Sequence, residues 1–375
     1  MKALADLCVV ELSRTSAAAF AGRLCADAGA QVVLIEPPEG HPLRHHGPFA
    51  GELEDRESST WHLHVNAGKR SVTVDLEAQA KLLRELLGRA DIFLTDLHTD
   101  LLDPLGLSWR ALHELYPSLL MTQVTPFGDT GPFRSYQGTN LVCLALGGQL
   151  KITGDPDKTP LSNFGAQAEY QAGLSAFAGT LANVLLRDES GRGEYLDLAI
   201  QDVVATNLEH RGPALNLGLV ANRAGLSVSA TYGVYPCADG WVYITAFAPA
   251  LWDRLKEMAQ LDELEQDRFS TQAARLEYND ELQAVLTAWS LSKSSDELRE
   301  FALRGYPVTV AETADRLLHS EQWRGRRMSH DVSHPIAGRV SVLGPPWLEP
   351  QPPAPAPRLG EANEEILGAV SQERA

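Results

Sequence analysis

The chain has 375 residues, of which 44% are hydrophobic and 22% charged, as expected for a folded protein long enough for two domains. Its formal net charge of −17 argues against non-specific nucleic-acid binding, which requires a basic surface. No apolar run reaches membrane-spanning length and the N-terminus does not resemble a signal peptide, so we expect a cytoplasmic protein. Four widely spaced cysteines without a CxxC pair are typical of reduced, buried thiols.

The first part of the chain alternates strand-like and helix-like segments. Residues 7–12 and 31–35 are predicted strands on either side of an Ala-rich helix at residues 16–27, and this β-α-β unit should have parallel strands with a right-handed crossover. Further strands are predicted at residues 71–76, 91–97 and 119–124, and further helices at residues 77–90 and 109–116. This alternation predicts an α/β domain with a mostly parallel sheet.

The composition changes in the second half of the chain. The longest predicted helix covers residues 166–186, and residues 195–205 are predicted to add a second helix to the same layer. A hairpin at residues 232–245, turning at Asp239-Gly240, and charged helical segments at residues 250–304 then indicate a smaller second domain. The remaining predictions are a β element at residues 334–343, a Pro-rich extended segment at 350–357 and a short helix at 358–370.

Common cofactor motifs are missing from the sequence. There is no phosphate loop or dinucleotide-binding fingerprint, so NAD or ATP binding is not expected. His45-His46 and His62-x-His64, the latter predicted on one face of a strand, lack acids or cysteines at metal-binding spacing, and we expect no bound metal. Lys69-Arg70 just before a predicted strand could hold a phosphate, and an ordinary solvated loop explains them equally well.

Glu169 is a lone acid at the start of a long, nearly uncharged helical run. A carboxylate near a helix N-terminus, beside Gly-rich and apolar sequence, can be tuned for chemistry. The residues alone nevertheless favour an acid that only complements the helix dipole, because such acids are common in first turns.

Seven short motifs together resemble those of the family III CoA-transferases (CaiB/BaiF family), which include formyl-CoA transferase and carnitine CoA-transferase. They occur in the family's order and span nearly the whole chain. The motifs are ADAGAQVVLIE (residues 26–36), NAGKRSVTVDL (66–76), GG and TG (147–148 and 153–154), GRGEYLDLA (191–199), YGVYPCADG (232–240), HPIAG (334–338) and PRLGE (357–361).

The resemblance implies an interlocked, ring-like homodimer. Each protomer would have a Rossmann-like large domain of residues 1–210 and 328–375 and a smaller α+β domain of residues 225–327, with connecting linkers. The substrates would be an acyl-CoA and a small carboxylic acid, and no cofactor would be permanently bound. The family's nucleophile is an aspartate at the place of Glu169, and it forms an acyl anhydride and then a CoA thioester. Other classes of CoA-transferase use a glutamate.

The resemblance also implies which residues contact CoA. These are Ser16, Ala17, Lys69, Arg70, Val74, Asp75, Asp96, Leu97, Thr139 and Asn140. Several family positions differ in this chain. Pro37 and Pro104 stand where arginines are typical, Asp96-Leu97-His98 replaces Asn-Phe, and the glycine-rich loop of formyl-CoA transferase has no counterpart at residues 224–230.

Two alternatives to CoA transfer stay open at this point. A repurposed acyl-CoA isomerase or lyase of the same fold would use Glu169 as a general base. Racemase chemistry is disfavoured, because Thr139 occupies the position of the racemase histidine. The other alternative is a non-catalytic partner subunit of a heteromeric CoA-transferase, for which the missing arginines at positions 37 and 104 would be a sign.

Overall fold

Six parallel strands form the central sheet of the larger of two compact units. They are β1 (Cys8–Leu12), β2 (Gln31–Glu36), β3 (Arg70–Thr73), β4 (Ile92–Thr95), β5 (Leu120–Thr125) and β6 (Tyr195–Ala199). The computed structural model describes residues 2–51, 54–155, 157–208, 231–347 and 352–369. The strand order is β3-β2-β1-β4-β5-β6, which is the order of a Rossmann-type sheet. The predicted α/β class with a parallel sheet is therefore confirmed.

Helices cover both faces of this sheet. They are α1 (Ser16–Asp27), α2 (Thr60–Val65), α3 (Leu76–Leu87), α4 (Thr99–Leu102), α5 (Trp109–Leu115), α6 (Asn140–Leu146), α7 (Gln167–Ser190) and α8 (Ile200–Thr206). Successive side chains of a strand point to opposite faces, so Val9 of β1 packs in the core with α1 and α7, whereas Val10 packs in the core with α3 and α5.

Helices α1 and α7 pack closely because both present small residues. A Cβ atom added at Gly173 would lie 2.6 Å from the carbonyl oxygen of Ala17 and 3.1 Å from Cβ of Phe20. The Ala-rich run of α1 is buried along this contact, together with Ala172 and Ala176 of α7. This close approach brings the first turn of α7 next to the first turn of α1.

Two sequence predictions in this unit are wrong. Residues 195–205, predicted as one helix, form strand β6 followed by α8, because residues 195–199 pair with β5 at the edge of the sheet. His62 and His64, predicted on a strand, lie in helix α2, whose N-cap Ser59 accepts a hydrogen bond from the His62 amide. Among the described residues, no helix has the length and apolar character needed to cross a membrane.

The smaller unit lies within Val220–Ser320 and has its own core. Strands β7 (Tyr232–Cys237), β8 (Gly240–Thr245) and β9 (Val308–Val310) form an antiparallel sheet, so the hairpin predicted at Asp239-Gly240 is confirmed. Its helices are α9 (Pro249–Ala259), α10 (Gln272–Glu277), α11 (Asn279–Leu291), α12 (Ser295–Leu303) and α13 (Ala314–Leu318).

The chain then returns to the larger unit. This return contains α14 (Glu321–Arg326), the hairpin of β10 (Ser329–His334) and β11 (Gly338–Leu343), and a π-helical turn at Asn363–Leu367. The late β element therefore begins earlier than predicted, and the last helical segment begins five residues later than predicted.

Candidate active site

The carboxyl ends of β1 and β4 meet at the centre of the sheet, where the strand order reverses. Ligands of doubly wound folds bind at such a switch point. Residues 13–16 follow β1 here, and residues 96–98 follow β4. The Asp96 carboxylate holds the two loops together by accepting hydrogen bonds from the amides of Arg14 and Thr15, at 2.7–3.0 Å, and from the Thr15 hydroxyl at 2.7 Å.

Glu169 lies in the first turn of α7 and reaches this switch point. Its Oε2 atom accepts a hydrogen bond of 3.0 Å from the backbone amide of Ser16, the first residue of α1. Burial raises the pKa of the half-buried Glu169 carboxyl, donation by Ser16 opposes that rise, and the negative charge of Asp96 adds to it. The carboxylate therefore lies at the positive end of the α1 dipole, in a partly desolvated setting.

Asn140, the first residue of α6, forms hydrogen bonds with the backbone just before Glu169. Its Oδ1 atom accepts a 2.8 Å hydrogen bond from the Ala168 amide, and its Nδ2 atom donates a 3.2 Å hydrogen bond to the Gly165 carbonyl oxygen. Thr139 precedes α6 and makes no side-chain capping bond there. The Cys143 thiol is buried near Glu169, and burial together with that carboxylate raises the pKa of Cys143 to about 11.

A cavity of about 540 Å³ opens beside the switch point, at the carboxyl ends of β1, β2 and β3. Its walls include Leu12, Ser13, Ile35, Pro37, Val74 and Leu76. The exposed side chains of Arg14, His45 and His46 also line it. Glu36 also faces the cavity, and the Arg44 guanidinium, bound to it at 2.6 Å, holds the pKa of its carboxyl down to about 2 against the effect of burial.

Comparisons with known proteins show the family of this chain. Residues 4–363 match the profile described as CoA-transferase family III. The chain belongs to CoA-transferase family III. It is 33% identical to succinyl-CoA–D-citramalate CoA-transferase of Chloroflexus aurantiacus, over 97% of this chain and 93% of that protein. It is 30% identical to the BbsE subunit of succinyl-CoA:(R)-benzylsuccinate CoA-transferase of Thauera aromatica, over 93% and 90% of the two chains.

A solved structure supports the same assignment. A CaiB/BaiF family protein from Brucella suis superposes with a TM-score of 0.87, at 27% identity, over 97% of this chain and 98% of that one. The family resemblance found in the sequence is confirmed, and the protein is a CoA-transferase of family III.

Lys69, which the family resemblance implies contacts CoA, lies neither in a solvated loop nor among the residues that line the cavity. Lys69 is 4% exposed, and its Nζ atom binds the Glu11 carboxylate at 2.7 Å, the Ala19 carbonyl oxygen at 2.7 Å and the Asn66 Oδ1 atom at 2.8 Å. Its side chain turns inward beneath α1, where Gly22 leaves room, since an added Cβ would lie 1.8 Å from Glu11 Oε2. Lys69 is therefore part of a buried ion pair.

Other residues that were expected to contact CoA also make contacts within the protein. Arg70 pairs with Glu365, and the Asp75 carboxylate caps α3 by accepting from the amides of Glu77 and Ala78. The side chains of Ser16, Ala17 and Leu97 are buried. Backbone groups of these three residues remain at the switch point, and buried Val74 lines the cavity.

The sequence interpretation missed Arg14, His45 and His46 as cavity-lining residues of this CoA-transferase. Arg14 directly follows β1, in the first βα loop, and that position alone could have indicated it. The described residues contain no cluster of three or more side chains placed to hold a metal ion. His62 is instead buried against Asn66 and the Pro357 carbonyl oxygen, and burial lowers its pKa to about 3. Residues 224–230, where the sequence shows no counterpart of the family's glycine-rich loop, lie outside the described residues.

Proposed function

We propose that this CoA-transferase moves CoA from an acyl-CoA to a carboxylic acid with Glu169 as the nucleophile. The observation that supports it most directly is the half-buried Glu169 carboxylate at the N-terminus of α1, in the crevice where the sheet reverses its strand order. A helix N-terminus stabilises negative charge, so it would favour both this carboxylate and the anions that form beside it.

The proposed reaction proceeds through two covalent intermediates. The Glu169 carboxylate attacks the acyl-CoA carbonyl, which forms a mixed anhydride and releases the CoA thiolate. The thiolate attacks the Glu169 carbonyl of that anhydride, giving a glutamyl-CoA thioester and the free donor acid. The acceptor carboxylate then attacks this thioester, and the released thiolate takes the new acyl group from the second anhydride. Each hard exchange is thereby divided into easier steps, and Glu169 is regenerated.

Glu169 is one methylene longer than the family's aspartate, and its surroundings must fit that length. A glutamate carboxyl lies about 1.5 Å further from its backbone than an aspartate carboxyl. Because a misplacement of about 1 Å costs on the order of 100-fold in rate, the surrounding backbone must be adjusted to the longer acid. The hydrogen bond from the Ser16 amide would hold the end of this longer side chain in place.

Mass spectrometry tests the proposed function directly. The enzyme incubated with an acyl-CoA should gain the mass of CoA, less water, on the peptide that contains Glu169. Hydroxylamine should remove the adduct, because it cleaves thioesters. If Glu169 stays unmodified while the enzyme turns over a saturating acyl-CoA, the glutamyl-CoA thioester is contradicted.

The nucleotide end of CoA is proposed to occupy the cavity lined by Arg14, His45 and His46. The cavity lies beside the switch point. Its apolar wall suits an adenine ring, and the Arg14 guanidinium at its rim suits a phosphate. Arg14 has no side-chain hydrogen bond or ion pair among the described contacts, in contrast to Lys69 and Arg70. It would compensate for the family arginine that Pro37 replaces.

Replacing Arg14 by alanine is expected to weaken CoA binding about 10- to 100-fold, the size of one or two charge-assisted hydrogen bonds. Binding of a pantetheine thioester, which has no nucleotide, should change less than about twofold. Isothermal titration of both ligands measures this, with Arg110→Ala on α5 as the control. Equal losses for the two ligands would argue against a nucleotide contact.

The substrates are proposed to be dicarboxylic acids and their CoA thioesters. Both relatives described above have succinyl-CoA in their names, and their acceptors, citramalate and benzylsuccinate, are dicarboxylates. A panel of donors tested with one acceptor at a time should show a preference for succinyl-CoA over acetyl-CoA.

The protein is proposed to work as an interlocked, ring-like homodimer. Helices α6 and α7 expose apolar side chains that a monomer would leave in water, and such patches are typical of interfaces. They are Leu141, Val142, Leu146, Leu174, Leu185 and Leu186. Sedimentation of the purified chain should give twice the mass of 40.8 kDa. Activity appearing only with a paralogue would instead support a heteromer, as the name of the BbsE subunit suggests for that relative.

A general-base role for Glu169 is the second candidate. Burial raises the pKa of this carboxyl, which suits a group that accepts a proton from a substrate α-carbon. Deuterium uptake at that carbon from heavy water, with no exchange of CoA between acids, would support an isomerase or lyase.

A further inference from the structure

The start of α7 has no capping side chain of its own. The first amides of a helix have no partner within the helix, and a polar side chain at the N-cap usually accepts from them. The N-cap residue here is Ala166, which offers no acceptor. The Ala168 amide is satisfied instead by Oδ1 of Asn140, a residue of another helix.

Asn140 forms hydrogen bonds with the chain on both sides of Ala166. Its Nδ2 atom donates to the carbonyl oxygen of Gly165, which has a φ of +73°, and its Oδ1 atom accepts from Ala168. The Ala168 side chain is fully buried, and the next residue is Glu169. The two hydrogen bonds therefore hold the turn from which the Glu169 side chain projects.

We propose that Asn140 is a positioning residue for Glu169, which caps α7 from the N-terminus of α6. This inference rests on the proposed nucleophilic function, and it replaces the expectation that Asn140 contacts CoA. The Ser16 amide holds the Glu169 carboxylate directly, and the Asn140 cap holds the backbone from which the Glu169 side chain extends. Without the Asn140 cap, the Glu169 carboxyl would move relative to the bound thioester. A displacement of about 1 Å costs on the order of 100-fold in rate.

Asn140→Leu keeps the size of the side chain and removes both hydrogen bonds. We expect kcat and the rate of CoA adduct formation at Glu169 to fall together, about 10- to 100-fold, while the Kd for CoA stays within about twofold of wild type. Asn140→Asp keeps the acceptor for the Ala168 amide and should recover most of kcat. Gln201→Leu is the matched control, because the side-chain amide of Gln201 donates to the Leu146 carbonyl oxygen at the other end of α6. In this variant kcat should not change.

Hydrogen exchange of the Ala168 amide provides a reading that does not depend on activity. It should accelerate about tenfold in Asn140→Leu and remain near wild type in Asn140→Asp. An unchanged kcat in Asn140→Leu, or a weakened Kd for CoA with kcat preserved, would overturn the positioning role. Unchanged exchange would overturn the cap itself. Failure of the proposed function looks different, because the wild-type enzyme would then form no adduct at Glu169.

Discussion

Glu169→Gln is expected to abolish CoA transfer, with a loss on the order of 10³-fold or more. The glutamine has nearly the same shape, and its amide oxygen can still accept the hydrogen bond from the Ser16 amide, so the fold of the site should be kept. The neutral amide is not a nucleophile, and without the anhydride the stepwise route is lost. Steady-state transfer assays and mass spectrometry of the trapped enzyme measure the two effects together.

Glu169→Asp is the informative companion variant, because it restores the family's usual acid in a site built around a longer one. Shortening the side chain by about 1.5 Å should break the hydrogen bond to Ser16 and reduce kcat on the order of 100-fold. A CoA adduct should still form, only more slowly. Turnover of Glu169→Gln at the wild-type rate would exclude Glu169 as the nucleophile.

Local patterns were sufficient to predict most of the fold. The alternation of strands and helices in the first 125 residues is a local signal, since each element shows its own period, and those elements are found close to their predicted positions. Residues 195–199 were misread as helix because their strand character depends on pairing with β5, a contact with residues more than 70 positions away. Edge pairing of this kind leaves little trace in a single segment.

The candidate site was predictable in position more than in detail. Glu169 could be proposed as the nucleophile because it stands in register with a family motif. Its hydrogen-bond partner Ser16 is 153 positions away. The direction in which Lys69 and Asn140 point could not be read from their motifs. Lys69 turns toward Glu11 of β1, and Asn140 toward a helix that begins 27 residues later. Only the packing of α1, α6 and α7 determines these contacts.

Lys69→Met is expected to destabilise the protein by about 3–5 kcal/mol, because it leaves the Glu11 carboxylate buried without its cation. Both side chains are fully buried, burial raises the pKa of Glu11 and lowers that of Lys69, and each partner opposes the shift of the other. Urea unfolding followed by circular dichroism should therefore show an earlier midpoint. Adding Glu11→Leu should recover much of the loss, since an apolar pair of similar size avoids the unpaired charge.

Arg70→Met is the matched control for this prediction. Arg70 is the next residue and also pairs with a carboxylate, that of Glu365, but the Arg70 side chain is 36% exposed and that of Glu365 is 73% exposed. Such surface pairs contribute about 0–1 kcal/mol, so the midpoint should hardly move. A phosphate-binding Lys69 would give the reverse pattern, with normal stability and weak CoA binding in Lys69→Met. Stability and CoA affinity, measured on the same two variants, therefore distinguish a buried structural cation from a ligand of the substrate.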